Sequence, residues 1–200
     1  MTIKPILFNT EMVRTILDGR KSCTRRIVKP KQFVGLLPDK CKNGIPEEFL
    51  KEKKLMFKPY CDMTDAELIS AAYKALYQPG DILYVRETWK KAPNGYYYYE
   101  DWQKDDIADV TKWKPSIHMP KEAARIWLKV TDVRVERLQE MTDDDAEAEG
   151  CFDYTSTALG FPDVWNSTIK KSDLDRYGWN ANPWVWVIEF EQCEKPKEEN

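Results

Sequence analysis

A short basic segment near the N-terminus carries residue types that bind anions. Between residues 14 and 31 the only acidic residue is Asp18. The chain as a whole is slightly acidic, with 31 Lys and Arg against 34 Asp and Glu and a formal charge of -3. A basic cluster within an acidic protein favours a local phosphate or anion site, although a solvated surface is the alternative. Its cations are Arg14, Arg20, Lys21, Arg25, Arg26, Lys29 and Lys31.

Two residues of this segment could carry acyl-transfer chemistry. Lys21 and Thr24 share a face if the connection between them curls as a helical turn. A threonine hydroxyl is a weak nucleophile and needs an adjacent base. Lys21 can be that base only as the neutral amine, which the neighbouring charges of Arg20, Arg25 and Arg26 would favour. The alternative is that both side chains cap the first helix and hold the start of the next strand.

Three further charged residues stand where a partner is needed. Residues 81–89 alternate as a strand does, so either Arg86 or Glu87 points inward whichever face is buried. Because burying an unpaired charge is costly, we expect a specific partner for one of them. Glu149 lies in the last turn of a helix predicted to start at Thr142, where the helix dipole disfavours a carboxylate. We therefore expect a cationic neighbour or a catalytic task for Glu149, or else simple exposure.

Metal chemistry has weaker support in the sequence. His118 is the only histidine and lies in a loop between Pro115 and Pro120, where a structural role is the alternative to a functional one. Cys41, Cys61 and His118 could meet at an ion, but their spacing does not favour it. We predict no metal site and no cofactor.

The elements that must position these residues form a mixed pattern. Asn9 or Thr10 begins a helix that Gly19 ends, Asn94-Gly95 marks a hairpin, and residues 125–138 alternate as a long strand. About six strands with helices between them predict an α+β domain with a small curved sheet or barrel. The other predicted strands cover residues 5–8, 27–28, 81–89 and 183–191.

Length and composition predict one domain. The 200 residues suit a single domain spanning 1–200, with an insertion at about 31–79 and a polar C-terminal tail. No apolar run reaches the roughly 20 residues of a membrane span, and no signal peptide is evident. The five scattered cysteines predict reduced thiols in a cytoplasmic protein.

Five stretches in order resemble ASCH domains of the PUA-like superfamily. Residues 19–26, GRKSCTRR, resemble the family signature Gly-x-Lys-x-x-Thr-x-Arg. The stretches 85–89 and 115–120 are similar to a phage-encoded branch of the family. The resemblance covers most of the chain outside about 31–78. Its other four stretches are 80–83, 130–138, 145–150 and 187–190.

The resemblance implies a PUA-like fold, a small β-barrel of about six strands with flanking helices. It also implies binding of RNA or nucleotides. One bacterial branch of the family hydrolyses the amide of N4-acetylcytidine with a Lys, a Thr and a Glu, which by motif are Lys21, Thr24 and Glu149 here. A modified nucleoside or single-stranded RNA is then the expected partner. Residues expected to line the substrate site are Arg26, Arg86, Glu87, Trp89 and His118.

Three functions follow from these expectations. The first is an amidohydrolase acting on N-acylated cytidine or a related nucleoside, which requires Lys21, Thr24 and Glu149 to converge. The second is a non-catalytic RNA-binding module, which requires only a basic groove with exposed aromatic rings. The third is a metal-assisted ribonuclease, which requires Glu87, Glu149 and His118 around one ion.

Overall fold

A five-stranded mixed sheet forms the centre of the molecule. The computed structural model describes residues 2–29, 64–102, 112–151 and 157–197. The sheet order is β1-β3-β6-β7-β2, in which β1 and β3 are parallel and the other pairs antiparallel. A two-stranded hairpin, β4-β5, stands beside it. The strands are β1 (Ile3–Leu7), β2 (Cys23–Ile27), β3 (Ile82–Arg86), β4 (Trp89–Ala92), β5 (Gly95–Tyr98), β6 (Trp127–Arg137) and β7 (Trp184–Cys193).

Helices fill the connections between these strands. Short 3-10 helices also occur, including one at Ser116–His118. Residues 31–63 of the predicted insertion lie outside the described part of the chain, but Ala75 and Tyr77 pack in the main core. The α-helices are α1 (Thr10–Leu17), α2 (Asp65–Ala72), α3 (Tyr99–Trp102), α4 (Asp143–Ala148), α5 (Thr157–Ser167) and α6 (Leu174–Tyr177).

Helix α1 links the two outer strands of the sheet and follows local sequence signals. The Asn9 side chain caps it by accepting a hydrogen bond from the Met12 backbone N–H at 2.8 Å. Val13 and Ile16 form its buried face. The chain then turns through Gly19, whose φ of +73° lies in the region that glycine tolerates best. This turn delivers residues 20–22 to the start of β2.

The predicted closed barrel is not present among the described strands. Seven strands occur there; five form an open sheet and two form the hairpin. The sheet stays open because its outer strands β1 and β2 do not pair with each other. The Arg26 guanidinium of β2 instead donates to the backbone oxygen of Leu7 in β1, at 2.9 Å. A side chain thus bridges the gap that a strand ladder would have closed.

Buried side chains pack on both faces of the sheet. The largest cluster includes Phe8, Val13 and Ile16 together with Trp186 and Ile188 of β7. A second cluster lies under the hairpin, and a third lies between β7 and helices α4 and α5. No helix in the described ranges is long and apolar enough to cross a bilayer.

One ion pair fixes the start of β3 beside β1. Asp81 accepts hydrogen bonds from Lys4 Nζ at 2.6 Å, from Thr2 Oγ1 at 2.6 Å and from the Gln78 backbone N–H at 3.0 Å. Burial opposes ionisation of this carboxyl, but the hydrogen bonds outweigh burial and hold its pKa at about 2, below the ordinary 3.8.

We predict that Asp81→Asn removes an acid-sensitive part of the stability. Because the pKa is depressed in the folded state, the carboxylate stabilises the fold above about pH 4 and that stability is lost as pH falls towards 2. The variant should lose about 2 kcal/mol of unfolding free energy at pH 7. Denaturant unfolding at pH 7 and pH 2.5 measures this, and an equal difference from wild type at both pH values would contradict it.

Candidate functional site

Lys21 and Glu149 form a buried ion pair although they are 128 residues apart in sequence. Lys21 Nζ donates to Glu149 Oε2 at 2.6 Å and to the Glu149 backbone oxygen at 2.7 Å. The lysine side chain is 0% exposed and the glutamate side chain 6%. Two of the three residues expected to act together therefore lie in direct contact. Glu149 has the cationic neighbour that its unfavourable helix position suggested.

Backbone hydrogen bonds hold this pair in place. The Lys21 N–H donates to the Thr15 oxygen at the end of α1, at 3.0 Å, and the Ser22 N–H donates to the Ala148 oxygen of α4, at 2.9 Å. Gly150 allows α4 to approach α1 closely, because a Cβ built there would lie 2.7 Å from Thr15 Oγ1. The ends of two helices and the start of β2 thus converge on the pair.

Arg25 takes up the other oxygen of the Glu149 carboxylate. Its Nη1 lies 3.5 Å from Glu149 Oε1, and its Nη2 lies 3.0 Å from Asp145 Oδ1 and 3.6 Å from Glu136 Oε2. Burial alone would lower the pKa of Arg25, but Glu149, Cys23 and Asp145 outweigh it and raise the pKa. Burial also raises the pKa of the Cys23 thiol to about 12, so Cys23 remains a thiol at neutral pH.

Two of the three arginines expected around Lys21 share a neighbour with it: Arg25 contacts the same Glu149 carboxylate, and Arg26 lies against the same Phe8 ring. Arg20 is ion-paired with Asp18 at 2.8 Å, and Arg25 is turned towards carboxylates. The reason is strand alternation, which places Arg25 on the face of β2 that packs against α4. Lys21 therefore has a carboxylate oxygen at hydrogen-bond distance within the same cluster of charges.

Thr24 and Arg26 lie on the opposite face of β2 from Arg25. Thr24 is 2% exposed and in register with Ile188 of the main core. Arg26 Cζ lies 5.5 Å from the ring centroid of Phe8, and Lys21 Nζ lies 5.6 Å from the same centroid. Burial lowers the pKa of Arg26, opposed by Tyr77 and Glu149. The Phe8 ring is thus the common neighbour of the Lys21 ammonium and the Arg26 guanidinium.

Glu87 directly follows β3 and is the charged residue of the 81–89 stretch that points inward. Its partner is Arg125. Arg125 donates to both carboxylate oxygens of Glu87 at 2.9 Å and, through Nη1, to Asp101 at 2.7 and 2.8 Å. Its guanidinium also lies 4.1 Å from the Tyr98 ring centroid. Burial raises the pKa of Glu87 although Arg125 opposes the shift. Sequence alternation located Glu87, whereas nothing in the sequence pointed to Arg125.

The remaining expected site residues are spread along the β3–β6 connection. Arg86 donates to the backbone oxygen of Ile117 at 3.3 Å, next to His118, whose side chain is exposed. Trp89 is 5% exposed and packs against Tyr96, with Lys114 Nζ 5.0 Å from its ring centroid. Arg86 and His118 therefore stand near one loop, whereas Trp89 is a core residue of the hairpin.

Among the described residues, no group of three or more His, Cys, Asp or Glu side chains is arranged so that it could hold a metal ion. Glu87, Glu149 and His118 therefore do not form the cluster that a metal-assisted ribonuclease would need. Cys41 and Cys61 lie outside the described part of the chain.

Comparisons with known proteins give distant structural likenesses. No protein-family model and no curated protein matches the sequence. The crystal structure of an ASCH domain from Lactobacillus crispatus JV V101 is 12% identical with a TM-score of 0.45, and the match covers 96% of this chain and 79% of that one. The crystal structure of hypothetical protein PH0355 is 15% identical with a TM-score of 0.42, covering 96% and 100%. At these scores neither likeness assigns a function.

We predict that Gly150→Ala destabilises the protein more than Gly19→Ala. Both glycines have positive φ, so both substitutions add backbone strain of about 1 kcal/mol. A Cβ at Gly19 would meet nothing within 4 Å, whereas at Gly150 it would collide with Thr15. The collision should cost about 1 kcal/mol more. Denaturant unfolding of the two variants, measured side by side, checks this. Equal losses of unfolding free energy would show that the close approach of α4 to α1 does not contribute to the cost of the Gly150 substitution.

Proposed function

We propose that the protein binds a modified nucleoside or a short single-stranded RNA beside the Lys21–Glu149 pair. The contact that carries the proposal is the 2.6 Å hydrogen bond between these two nearly buried side chains. Burying a lysine and a glutamate together costs more desolvation than most packing contacts recover. Because a buried ion pair adds little net stability, the pair favours a ligand-binding role over a packing role.

The polar atoms around the pair suit a nucleoside. Glu149 Oε1 is buried, accepts no hydrogen bond and lies 3.5 Å from Arg25 Nη1, so an amino or imino group of a base that donates to it would do so beside Arg25. Arg26 is half-buried at the gap between β1 and β2, and Lys29, two residues beyond the end of β2, is exposed. These cations supply phosphate contacts. We assign Arg86 and His118 to the outer part of the same site, with Glu87 and Trp89 supporting the loop and the hairpin.

The second candidate function is hydrolysis of an N-acylated cytidine by Lys21, Thr24 and Glu149. It is favoured by the same 2.6 Å hydrogen bond, because transfer of one proton from Lys21 to Glu149 yields a neutral amine and a carboxylic acid. The amine could then take the proton of the Thr24 hydroxyl as it attacks the acyl carbon, and the acid could protonate the departing amino group. Water would then hydrolyse the resulting acyl-threonine ester, which releases the acid and restores the Thr24 hydroxyl. Thr24 lies three residues from Lys21, and the resemblance of residues 19–26 to the ASCH signature is the sequence support.

We predict that two variants separate binding from hydrolysis. Lys21→Arg keeps the charge but cannot lose its proton near neutral pH, so it should abolish hydrolysis. Thr24→Ser keeps a hydroxyl and should retain part of the activity. Acetate release from N4-acetylcytidine is measured beside a nucleoside-binding titration for each variant, with thermal unfolding as the folding control.

The possible results of these measurements on the two variants lead to different conclusions. Unimpaired hydrolysis by Lys21→Arg would rule out the lysine base. If wild type hydrolyses nothing, and binding survives Lys21→Arg but is lost in Lys21→Met, the protein is a binding module. Absence of both binding and hydrolysis in wild type would overturn the proposed function as a whole.

We also predict weak, mildly salt-dependent binding of single-stranded RNA. The basic segment spans one loop and one strand, so few phosphates can be neutralised at once. With two contacts, affinity should fall by about tenfold or less between roughly 50 and 200 mM salt. Fluorescence anisotropy with a short RNA measures this, with duplex DNA of equal length as the comparison. Nanomolar duplex-DNA binding with a steep salt slope would contradict the prediction.

A further inference from the structure

Arg25 is a fully buried charged residue of the basic segment to which the proposed function assigns no task. It occupies a position that the Gly-x-Lys-x-x-Thr-x-Arg pattern leaves unspecified. Its side chain is nevertheless 0% exposed, which is unusual for an arginine outside a specific charge network. Three carboxylates lie within 3.6 Å of it, on Asp145, Glu149 and Glu136.

The Glu149 carboxylate is shared between two cations, one at each oxygen. Oε2 accepts from Lys21 Nζ at 2.6 Å, and Oε1 lies 3.5 Å from Arg25 Nη1. A lysine can give up its proton, but a guanidinium keeps its own at any pH the protein survives. Arg25 is therefore a permanent positive charge at one oxygen of the carboxylate, and it opposes protonation of that carboxylate from Lys21.

We propose that Arg25 is a positioning residue that keeps the shared proton of the Lys21–Glu149 pair on the lysine. Lys21 then stays an ammonium and Glu149 a carboxylate acceptor. The proton placement stands on the geometry of these three side chains, and its effect on ligand binding rests on the proposed function. For hydrolysis, Arg25 makes the neutral amine the minor form, so catalysis would have to proceed from a small population.

The other charged and titratable groups around Arg25 also influence which member of the Lys21–Glu149 pair carries the shared proton. Cys23, on the same face of β2, accepts a long hydrogen bond from Arg25 Nη1 at 3.7 Å and remains a thiol. Helix α4 contributes Asp145, and α5, packed on α4, carries Asp163, which is exposed. On the opposite face of β2, Arg26 interacts electrostatically with Glu149. Strand β6 contributes Glu136 and Arg134, and β7 contributes Glu189.

Arg134 provides a matched control, because it belongs to the same network without an ion pair to Glu149. It pairs with Glu136 at 2.5 Å and lies 3.9 Å from Asp145, two of the three carboxylates that surround Arg25. Replacing it also removes one positive charge, so a general loss of network charge would affect both variants. Arg134 is 36% exposed and Arg25 0% exposed, so this variant controls for charge and not for packing. An effect through the 3.5 Å contact to Glu149 would appear only on replacing Arg25.

The experiment is a carboxyl carbon-13 NMR titration of Glu149 in wild type and the variants Arg25→Met, Arg25→Lys and Arg134→Met. Removing a positive charge next to a carboxylate makes it protonate more readily, so the Glu149 midpoint should move to higher pH by about 1 unit or more in Arg25→Met. It should stay near the wild-type midpoint in Arg25→Lys, which keeps the charge, and in Arg134→Met. An unchanged midpoint in Arg25→Met, or an equal shift in Arg134→Met, would overturn the proposal.

A second measurement needs no variant and covers the case in which Arg25→Met fails to fold. The nitrogen-15 spectrum of Lys21 Nζ in wild type should show an ammonium carrying three protons at pH 7. A neutral amine there would overturn the proposal. A nucleoside titration is run separately, so failure to bind any nucleoside or RNA would remove the proposed function while leaving the NMR test of Arg25 intact.

Discussion

The hydrogen bond between Lys21 and Glu149 is the interaction on which the rest of the site depends. It joins the loop after α1 to the end of α4 across 128 residues of sequence, with both side chains nearly buried. Each partner would be an uncompensated buried charge without the other, so the two segments must meet accurately for either to be tolerated. Gly150 and the backbone bonds of Lys21 and Ser22 supply that accuracy.

The same logic recurs at Glu87. Its carboxylate is buried beneath the hairpin and accepts a bidentate hydrogen bond from Arg125. The Arg125 guanidinium also donates to Asp101. Leu7 is in register with Arg86, the residue before Glu87, and the next residue after Leu7 is Phe8, which neighbours Lys21 and Arg26. The two carboxylate–cation pairs are thus linked through the adjacent strands β1 and β3.

The open sheet follows from how its outer strands are used. A closed barrel would commit the free edges of β1 and β2 to each other, whereas here the Arg26 side chain reaches Leu7 across the gap. The gap between β1 and β2 therefore contains the Arg26 guanidinium, whereas two paired strands would have only backbone groups there. Arg26, the last residue of the Gly-x-Lys-x-x-Thr-x-Arg pattern, therefore connects the two sheet edges and is half-buried at the proposed site.

The local elements and the residues of interest could be predicted from the sequence, because capping and alternation act over a few residues. Asn9 as the cap of α1, Gly19 at its end, Thr142 as the cap of α4 and the long strand β6 were all readable in this way. Which charges meet follows from the three-dimensional fold. Arg25 contacts Glu149, Asp145 and Glu136, and Arg125 pairs with Glu87, because partners so far apart in sequence are brought together by the sheet order and not by spacing.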